Sequence, residues 1–281
     1  MIGIVIVNYR TDALTVRFAR EELPKIRRPW HLVVADAGAT EEEAAALQEQ
    51  LGGHATVLPV PNKGFAYGNN RGAEWLRDHL RPEFILFSNN DIVLTSPEVA
   101  DALAEKLTEL PEAGAIGPEV IGLDGHRQGP EKYLGAWKKC VWMYLGTPFY
   151  SKSRKEEVFG LNYPAKAQEG WHYKLMGCFF MVPAEAFFAA GMFDEGTFLY
   201  AEENILSDRL AAIGKRCYYL PSVSILHEQG KTIGAKYDAY RRAVLQFDSL
   251  AYYYKKYRGY SRCEMGIISG LFRLIQRVLC R

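Results

Sequence analysis

Cysteine is scarce in this sequence: five residues, Cys140, Cys178, Cys217, Cys263 and Cys280, widely spaced and without a CxxC pair. Such a set excludes a disulfide framework or a zinc cluster and makes a reducing cytosol the expected setting. No apolar run approaches the ~18 residues of a membrane-spanning helix, so none is expected. The opening MIGIVIVNYR has neither the basic start nor the cleavage site of a secretory signal. Charge of one sign is missing as well: 34 Lys+Arg against 33 Asp+Glu leave +1, too little to draw the chain to nucleic acid or acidic polymers. Repeats and low-complexity tracts are absent. Neither a Walker A loop nor a GxGxxG fingerprint occurs, which removes the usual sequence support for ATP and NAD.

What is present is core-forming material. The 281 residues are 48% hydrophobic and 24% charged, enough for one large or two small globular domains and incompatible with general disorder. The charge is unevenly placed. Residues 231–281 hold 11 Lys+Arg and 3 Asp+Glu, a surplus of +8, and residues 1–230 carry −7. The C-terminal fifth is therefore a separate question.

The first apolar run, Ile2 to Val7, is short and β-branched and stops at polar turn residues that open a helix through Leu23. The cycle repeats: strand His31–Ala35, helix Thr40–Leu51, strand Ala55–Val60, helix Phe65–Leu80, strand Glu83–Ser88. This rhythm predicts βαβ units and an α/β fold with a mostly parallel central sheet flanked by helices. Residues 122–175 show no clean period and read as loops, a hairpin or a lid. Order returns at Lys174–Val182, followed by a helix near Pro183–Ala190, a helix over Tyr200–Ile213, short strands at Arg216–Leu220 and Val223–Leu226, and helices from Lys236 to Tyr257 and from Glu264 onward.

Ligands of open parallel sheets bind beyond the carboxyl ends of the strands. Asn8 follows the first strand, Asp36 the second and Asn89-Asn90-Asp91 the fourth. Singly each reads as a turn or cap; together they line one edge. The segment Asn62-Lys63-Gly64-Phe65-Ala66-Tyr67-Gly68-Asn69-Asn70-Arg71-Gly72 holds more Gly and Asn than capping requires, and a phosphate or sugar suits it.

These residues carry a resemblance. Over about residues 1–232 the chain resembles family 2 glycosyltransferases of the GT-A fold, most of all the rhamnosyltransferase-like branch. The matching pieces are Val5-Ile6-Val7-Asn8-Tyr9, Asp36 with Thr40-Glu41, the Asn62–Gly72 run, Ser88-Asn89-Asn90-Asp91, Gly191-Met192-Phe193-Asp194-Glu195, Tyr200-Ala201-Glu202-Glu203, Arg209 and His227-Glu228-Gln229-Gly230-Lys231-Thr232. The resemblance implies transfer, with inversion, of a sugar from a dTDP- or UDP-sugar to a lipid-linked or glycan acceptor of a bacterial cell surface. It implies that Asp36, flanked by Val7 and Tyr9, holds the nucleobase, with Asn62, Gly64, Asn69, Asn89 and Asn90 also on the donor. Asp91 and His227 would bind Mn²⁺ or Mg²⁺, and Glu203 would be the general base. Asp194, Glu195 and Glu202 would face the acceptor or sugar.

Two departures weigh against full activity: Asn89 stands where the family's first Asp of the metal motif is common, and Ile205 where an Asp commonly follows the acidic pair. A noncatalytic sugar-nucleotide-binding or scaffold protein is the alternative, and a sugar-phosphate nucleotidyltransferase a more distant one.

Residues 233–281 read as a helical extension to the 1–232 domain. Ile267, Ile268, Leu271, Leu274, Ile275, Val278 and Leu279 recur at helical spacing beside Arg273, Arg277 and Arg281. With the Tyr- and Lys-rich segment Tyr252–Tyr260, residues 262–281 suggest a peripheral helix on the anionic inner face of the plasma membrane. Packing on the domain or on a second copy of the chain is the competing expectation.

Overall fold

The computed structural model describes residues 1–142, 167–228 and 239–279. Strands β1 (Ile2–Asn8), β2 (Trp30–Ala37), β3 (Ala55–Val60) and β4 (Phe84–Ser88) lie parallel in the order β3-β2-β1-β4, connected by helices α1 (Asp12–Glu21), α2 (Glu41–Leu51) and α3 (Phe65–His79). Register sets Asn8 level with Asp36, and Ile6 level with Ser88, so the strand ends open onto one crevice. The strands are nearly all apolar because both faces are covered. Ile4 and Ile6 meet Phe18 and Leu47 on one face. Val5 meets Ala73 and Leu76 of α3 on the other.

Beyond β4 the sheet becomes mixed. The further strands are β5 (Ile92–Leu94), β6 (Ala113–Gly122), β7 (Gly170–His172), β8 (Phe179–Pro183) and β9 (Arg216–His227). The order runs on as β4-β8-β6-β9-β5, with β7 also on β9. β8 is antiparallel to both neighbours, β5 and β7 are antiparallel to β9, and β6 and β9 are parallel. The two short strands expected near residue 220 are one strand. Its register slips where Leu220 pairs with Pro118 but Ser224 pairs with Glu119, a bulge at Pro221, which has no N–H for the ladder. Within 122–175 the chain forms a hairpin after β6, a π-helical turn at Trp137–Trp142 and β7; residues 143–166 lie outside the described residues.

The remaining α-helices among the described residues are α4 (Val99–Glu109), α5 (Ala184–Ala189), α6 (Glu202–Ala212), α7 (Ala239–Tyr257) and α8 (Arg262–Leu279). Ala201 and Ile205 at the start of α6 form one core cluster with Phe247, Leu250, Tyr253 and Tyr254 of α7 and Ile268 and Phe272 of α8. Phe247 and Phe272 stack at 4.2 Å.

This docking matches the expectation that the C-terminal helices pack on the domain. Met265, Ile268, Phe272 and Ile275 are buried, whereas Ile267 (52%) and Leu274 (61%) are exposed, so the apolar stripe divides into an inner and an outer face. Within Tyr252–Tyr260, Tyr253 and Tyr254 face inward while Lys255 and Lys256 are exposed. Arg258 bonds Asp208 at 2.6 Å, and Tyr253 does so at 3.0 Å. Composition announces cations and tyrosines but not the carboxylates that receive them.

Asp194 is the main receiver. It accepts from Lys256 at 2.8 Å, Tyr252 at 3.0 Å, the Gly196 N–H at 2.9 Å and Tyr257, and Arg209 lies 3.4 Å away. Burial opposes its charge, but the donors from Lys256, Tyr257, Gly196 and Tyr252 outweigh burial and hold the carboxyl far below the usual carboxylate range. A depressed folded pKa gives stability that is complete above the unfolded value and lost as pH falls through the folded one. Asp194→Asn is thus expected to cost roughly 1.5–3 kcal/mol at neutral pH. The wild-type advantage should shrink below about pH 4. Urea unfolding of both proteins from pH 7 to pH 2.5 checks this, and a difference that persists undiminished in acid would contradict the assignment.

Candidate active site

The end of β2 builds a polar pocket. Asn8 Nδ2 donates to Asp36 Oδ1 at 2.9 Å and to Asp12 at 2.7 Å, and Asn8 Oδ1 accepts from Thr11 and Thr15 at 3.0 Å. Burial raises the Asp36 pKa against the lowering effect of Asn8. A cavity beside Asp36 is lined by Arg10, Asp12, Gly38 and Glu43. Val7, Tyr9 and Tyr67 pack half-buried against Ala35, Ala37 and Val60, and Ala37 also lines the cavity. Thr40 caps α2 through a reciprocal pair with Glu43, with bonds of 3.2 and 2.8 Å. Asn90 lies under the pocket: its Nδ2 donates to Thr11 at 2.8 Å and to Thr15 at 2.9 Å, which makes it a buried organiser of α1.

The Gly/Asn segment acts mainly through close packing. A Cβ on Gly68 would meet Val7 at 2.8 Å, and one on Gly72 would meet Val5 at 2.5 Å, so these glycines let α3 lie against β1. Gly64, at φ +108, would collide with the Phe198 carbonyl at 2.3 Å, and the adjacent Phe65 N–H donates to that carbonyl. The loop 193–201 therefore crosses directly over the start of α3. Asn70 fixes it there: Nδ2 donates to the Phe193 carbonyl and to Glu195, and Oδ1 accepts the Phe193 N–H. Glu195 also takes Arg71 at 3.1 Å. Asn62 is exposed near Gly38, and Asn69 is buried with Nδ2 on the Phe65 carbonyl.

At the opposite wall, the β5–β9 pair sets Ile92 against His227, bringing Asp91 beside the imidazole. Asp91 and His227 are both buried, with His227 Nε2 3.4 Å from Asp91 Oδ1 and 3.5 Å from Asn89 Nδ2. Burial lowers the His227 pKa, yet Asp91 and the neighbouring Cys178 prevail and push it up to about 10. Asp91 Oδ1 is buried without a hydrogen-bond partner. An orphaned carboxylate oxygen beside an imidazole nitrogen fits a divalent ion such as Mn²⁺ that takes oxygen and nitrogen donors. Among the described residues no group of three or more His, Cys, Asp and Glu side chains forms a ligand set, so this pair would leave most coordination positions to other ligands. Gln229 to Thr232 lie outside the described residues.

The acidic pair opens α6 after two residues with positive φ, Tyr200 (74°) and Ala201 (68°). Such backbone is costly for non-glycine residues and holds only where surrounding contacts impose it. It separates the two acids. Glu202 is buried, with Oε1 on the Tyr200 N–H at 2.9 Å and Oε2 unpartnered; burial and the Glu203 charge push it up to about 8. It holds the turn before the helix through the Tyr200 N–H. Glu203 is half-buried, and its carboxylate lies where a Cβ on Gly177 would sit, 1.8 Å from that position.

The structure thus brings Asp36, Asn89, Asp91 and His227 to the crevice, and places Glu203 beside Gly177. Asp194 has both oxygens taken by protein donors and works as a joint to α7. Ile205, at the family's Asp position, is fully buried under α7 and α8, where a carboxylate would be desolvated. Asn70 and Gly177 carry no independent signal in the sequence, because their partners lie far along the chain. Gly177→Ala should leave the melting temperature nearly unchanged, since only the flexible end of Glu203 must move. It should cut turnover on the order of 10²-fold by misplacing that carboxylate. Calorimetric donor affinity and steady-state rates separate the two effects, and a fully active variant would show that the Glu203 position is immaterial.

No family model matches the chain. In sequence it is 28% identical over 260 residues, covering 83% of this chain and 78% of the relative, to the N-acetylglucosaminyl-diphospho-decaprenol L-rhamnosyltransferase of Mycobacterium tuberculosis. The mannosyltransferase PcManGT from Pyrobaculum calidifontis, in complex with GDP-Man and Mn²⁺, aligns with a TM-score of 0.62 at 13% identity, over 93% of this chain and 65% of that one. GalNAc-T7 with UDP, GalNAc and Mn²⁺ aligns at 0.59 and 14% identity, over 92% of this chain and 49% of that one. The chain spans less than two thirds of these two structural relatives, and at such identities they speak for the fold. Fold and sequence likeness agree: the chain is a glycosyltransferase of the GT-A fold, similar in sequence to L-rhamnosyltransferases.

Proposed function

We propose that this chain transfers rhamnose, with inversion, from a dTDP-sugar to a hydroxyl of a diphospholipid-linked N-acetylglucosamine. The observation that carries the reading is the half-buried Glu203 set apart from its neutral neighbour Glu202 in a glycosyltransferase fold. The substrate class follows that of the mycobacterial relative, an N-acetylglucosaminyl-diphospho-decaprenol L-rhamnosyltransferase.

Asp36 accepts from the imide N–H of the base, with Tyr9 and Val7 against its face. Asp91 and His227 would hold a divalent cation, which when bound supplies positive charge to the departing diphosphate. Asn89 keeps a neutral donor beside that pair. Glu203 takes the proton of the acceptor hydroxyl as its oxygen attacks the anomeric carbon. The loop 193–201 closes the donor side over α3.

Turnover of dTDP-rhamnose with a short lipid diphospho-N-acetylglucosamine acceptor and Mn²⁺ tests the reading. Glu203→Gln should retain dTDP affinity and lose ~10²–10⁴-fold in rate. Asp91→Ala should abolish Mn²⁺-dependent dTDP binding. A Glu203→Gln enzyme at wild-type rate, or a product that keeps the donor's anomeric configuration, would sink the mechanism.

The acceptor brings the enzyme to a bilayer. No helix among the described residues is long and apolar enough to cross one. The outer face of α8, with Ile267 and Leu274, supplies an apolar edge in a segment rich in cations. Each nearby cation adds about 1 kcal/mol of attraction to an anionic surface. Full-length protein should sediment with phosphatidylserine vesicles, and a variant carrying Ile267→Asp and Leu274→Asp should not, at equal melting temperature. Equal sedimentation of the two would remove α8 from the interface.

A further inference from the structure

After β6 the chain turns back on itself. The Gly122 N–H donates to the His126 carbonyl at 2.9 Å, the Gly125 N–H to the Gly122 carbonyl at 2.9 Å, and the Gln128 N–H to the Val120 carbonyl at 2.8 Å. Ile121 and Arg127 face one another as an antiparallel bridge, and the Asp124 side chain caps the turn by accepting the His126 N–H at 3.0 Å. On its other edge β6 pairs with β9, with Gly122 opposite His227. The hairpin thereby carries Gln128 to the imidazole. Gln128 Oε1 lies 2.8 Å from His227 Nδ1. Gly122 keeps the space open, since a Cβ there would stand 2.9 Å from Gln128 Nε2 and 2.7 Å from Asp124 Oδ1.

An amide oxygen has lone pairs and no hydrogen, so its contact with Nδ1 requires the ring to carry hydrogen at Nδ1. The other nitrogen, Nε2, is the one directed at Asp91 Oδ1 and Asn89. We propose that Gln128 is a positioning residue: it fixes the rotation of the His227 ring and its Nδ1–H, so that Nε2 is the atom offered, with Asp91, to a divalent cation. This rests on the metal reading given under Proposed function. A cation bound there takes the place of any hydrogen on Nε2; without Gln128 the ring is free to rotate, and Nε2 is no longer held toward Asp91. A neutral amide does this without adding charge, whereas a carboxylate in the same place would strengthen the bond to Nδ1.

The outer partners of metal-binding histidines are typically worth ~10–100-fold in metal affinity. Gln128 is partly exposed, so Gln128→Leu retains side-chain volume at small cost to folding, and Gln128→Glu restores an acceptor. Two readouts on full-length protein test the proposal without turnover. The first is the proton resonance of the His227 Nδ1–H in metal-free protein: slowly exchanging in the wild type and in Gln128→Glu, lost to solvent exchange in Gln128→Leu. The second is Mn²⁺ affinity in the presence of dTDP, followed by electron paramagnetic resonance. Gln128→Leu should bind ~10–100-fold more weakly, and Gln128→Glu within a few-fold of wild type. If the wild type binds Mn²⁺ and Gln128→Leu binds equally with its ring N–H still protected, the positioning role is overturned while the metal reading stands. If the wild type binds no Mn²⁺ with dTDP, the metal reading fails and takes this proposal with it.

Discussion

The buried carboxylate of Asp194 is the constraint on which the geometry around the Glu202–Glu203 pair depends. A charge removed from water is tolerated only when its partners replace the lost hydration. Here they come from three directions: Arg209 on α6, Tyr252, Lys256 and Tyr257 on α7, and the loop's own Gly196 N–H. The loop so pinned also lies over Gly64 and holds Asn70, and it leads into the strained Tyr200-Ala201 pair that sets the acids apart. Arg209 reinforces it by donating to the Gly191 and Met192 carbonyls at 2.6 and 2.9 Å. Removing any one donor leaves the others to hold the loop, but removing the acceptor frees all of them.

The strand-end side is governed by a second network, built on amides. Asn8 stands at its centre, donating to two carboxylates and accepting from two hydroxyls, while Asn90 donates to the same hydroxyls from below. Both ends of the Asn8 amide are satisfied, so the network is stiff. It presents Asp36 to the cavity with its other oxygen available. The two halves of the site thus obtain rigidity differently: hydrogen-bonded strand ends on one side, a tertiary ion cluster on the other.

These two kinds of rigidity differ in how far they can be read from sequence. Parallel strands announce themselves through apolar β-branched runs, and their aligned ends make Asn8, Asp36 and Asp91 neighbours by topology alone. The mixed half is less legible, because Phe179–Pro183 reads the same whether it enters the sheet parallel or antiparallel. The resemblance to glycosyltransferases supplies the candidate roles of Glu203 and His227, yet nothing local marks Gly177 as the residue on which Glu203 rests, or Gln128 as the partner of His227. In the C-terminal segment the amphipathic period of α8 is correct, but a single period cannot say that Ile268 and Phe272 face protein while Ile267 and Leu274 face outward. Long-range carboxylate partners decide that, and they have no sequence period.

The order in which the chain is synthesised gives the Asp194 joint a temporal meaning. Residues 2–88 contain the parallel strands β1 to β4, so that end can form while later residues are still being added. The acids at the start of α6 emerge long before Tyr252, Lys256 and Tyr257, which lie 58 to 63 residues beyond Asp194. Until those residues arrive, the loop has no external donor from α7 to hold it. A nascent chain therefore acquires its parallel half first and its ordered acid pair only after α7 has docked, so the proposed base at Glu203 is set in place last.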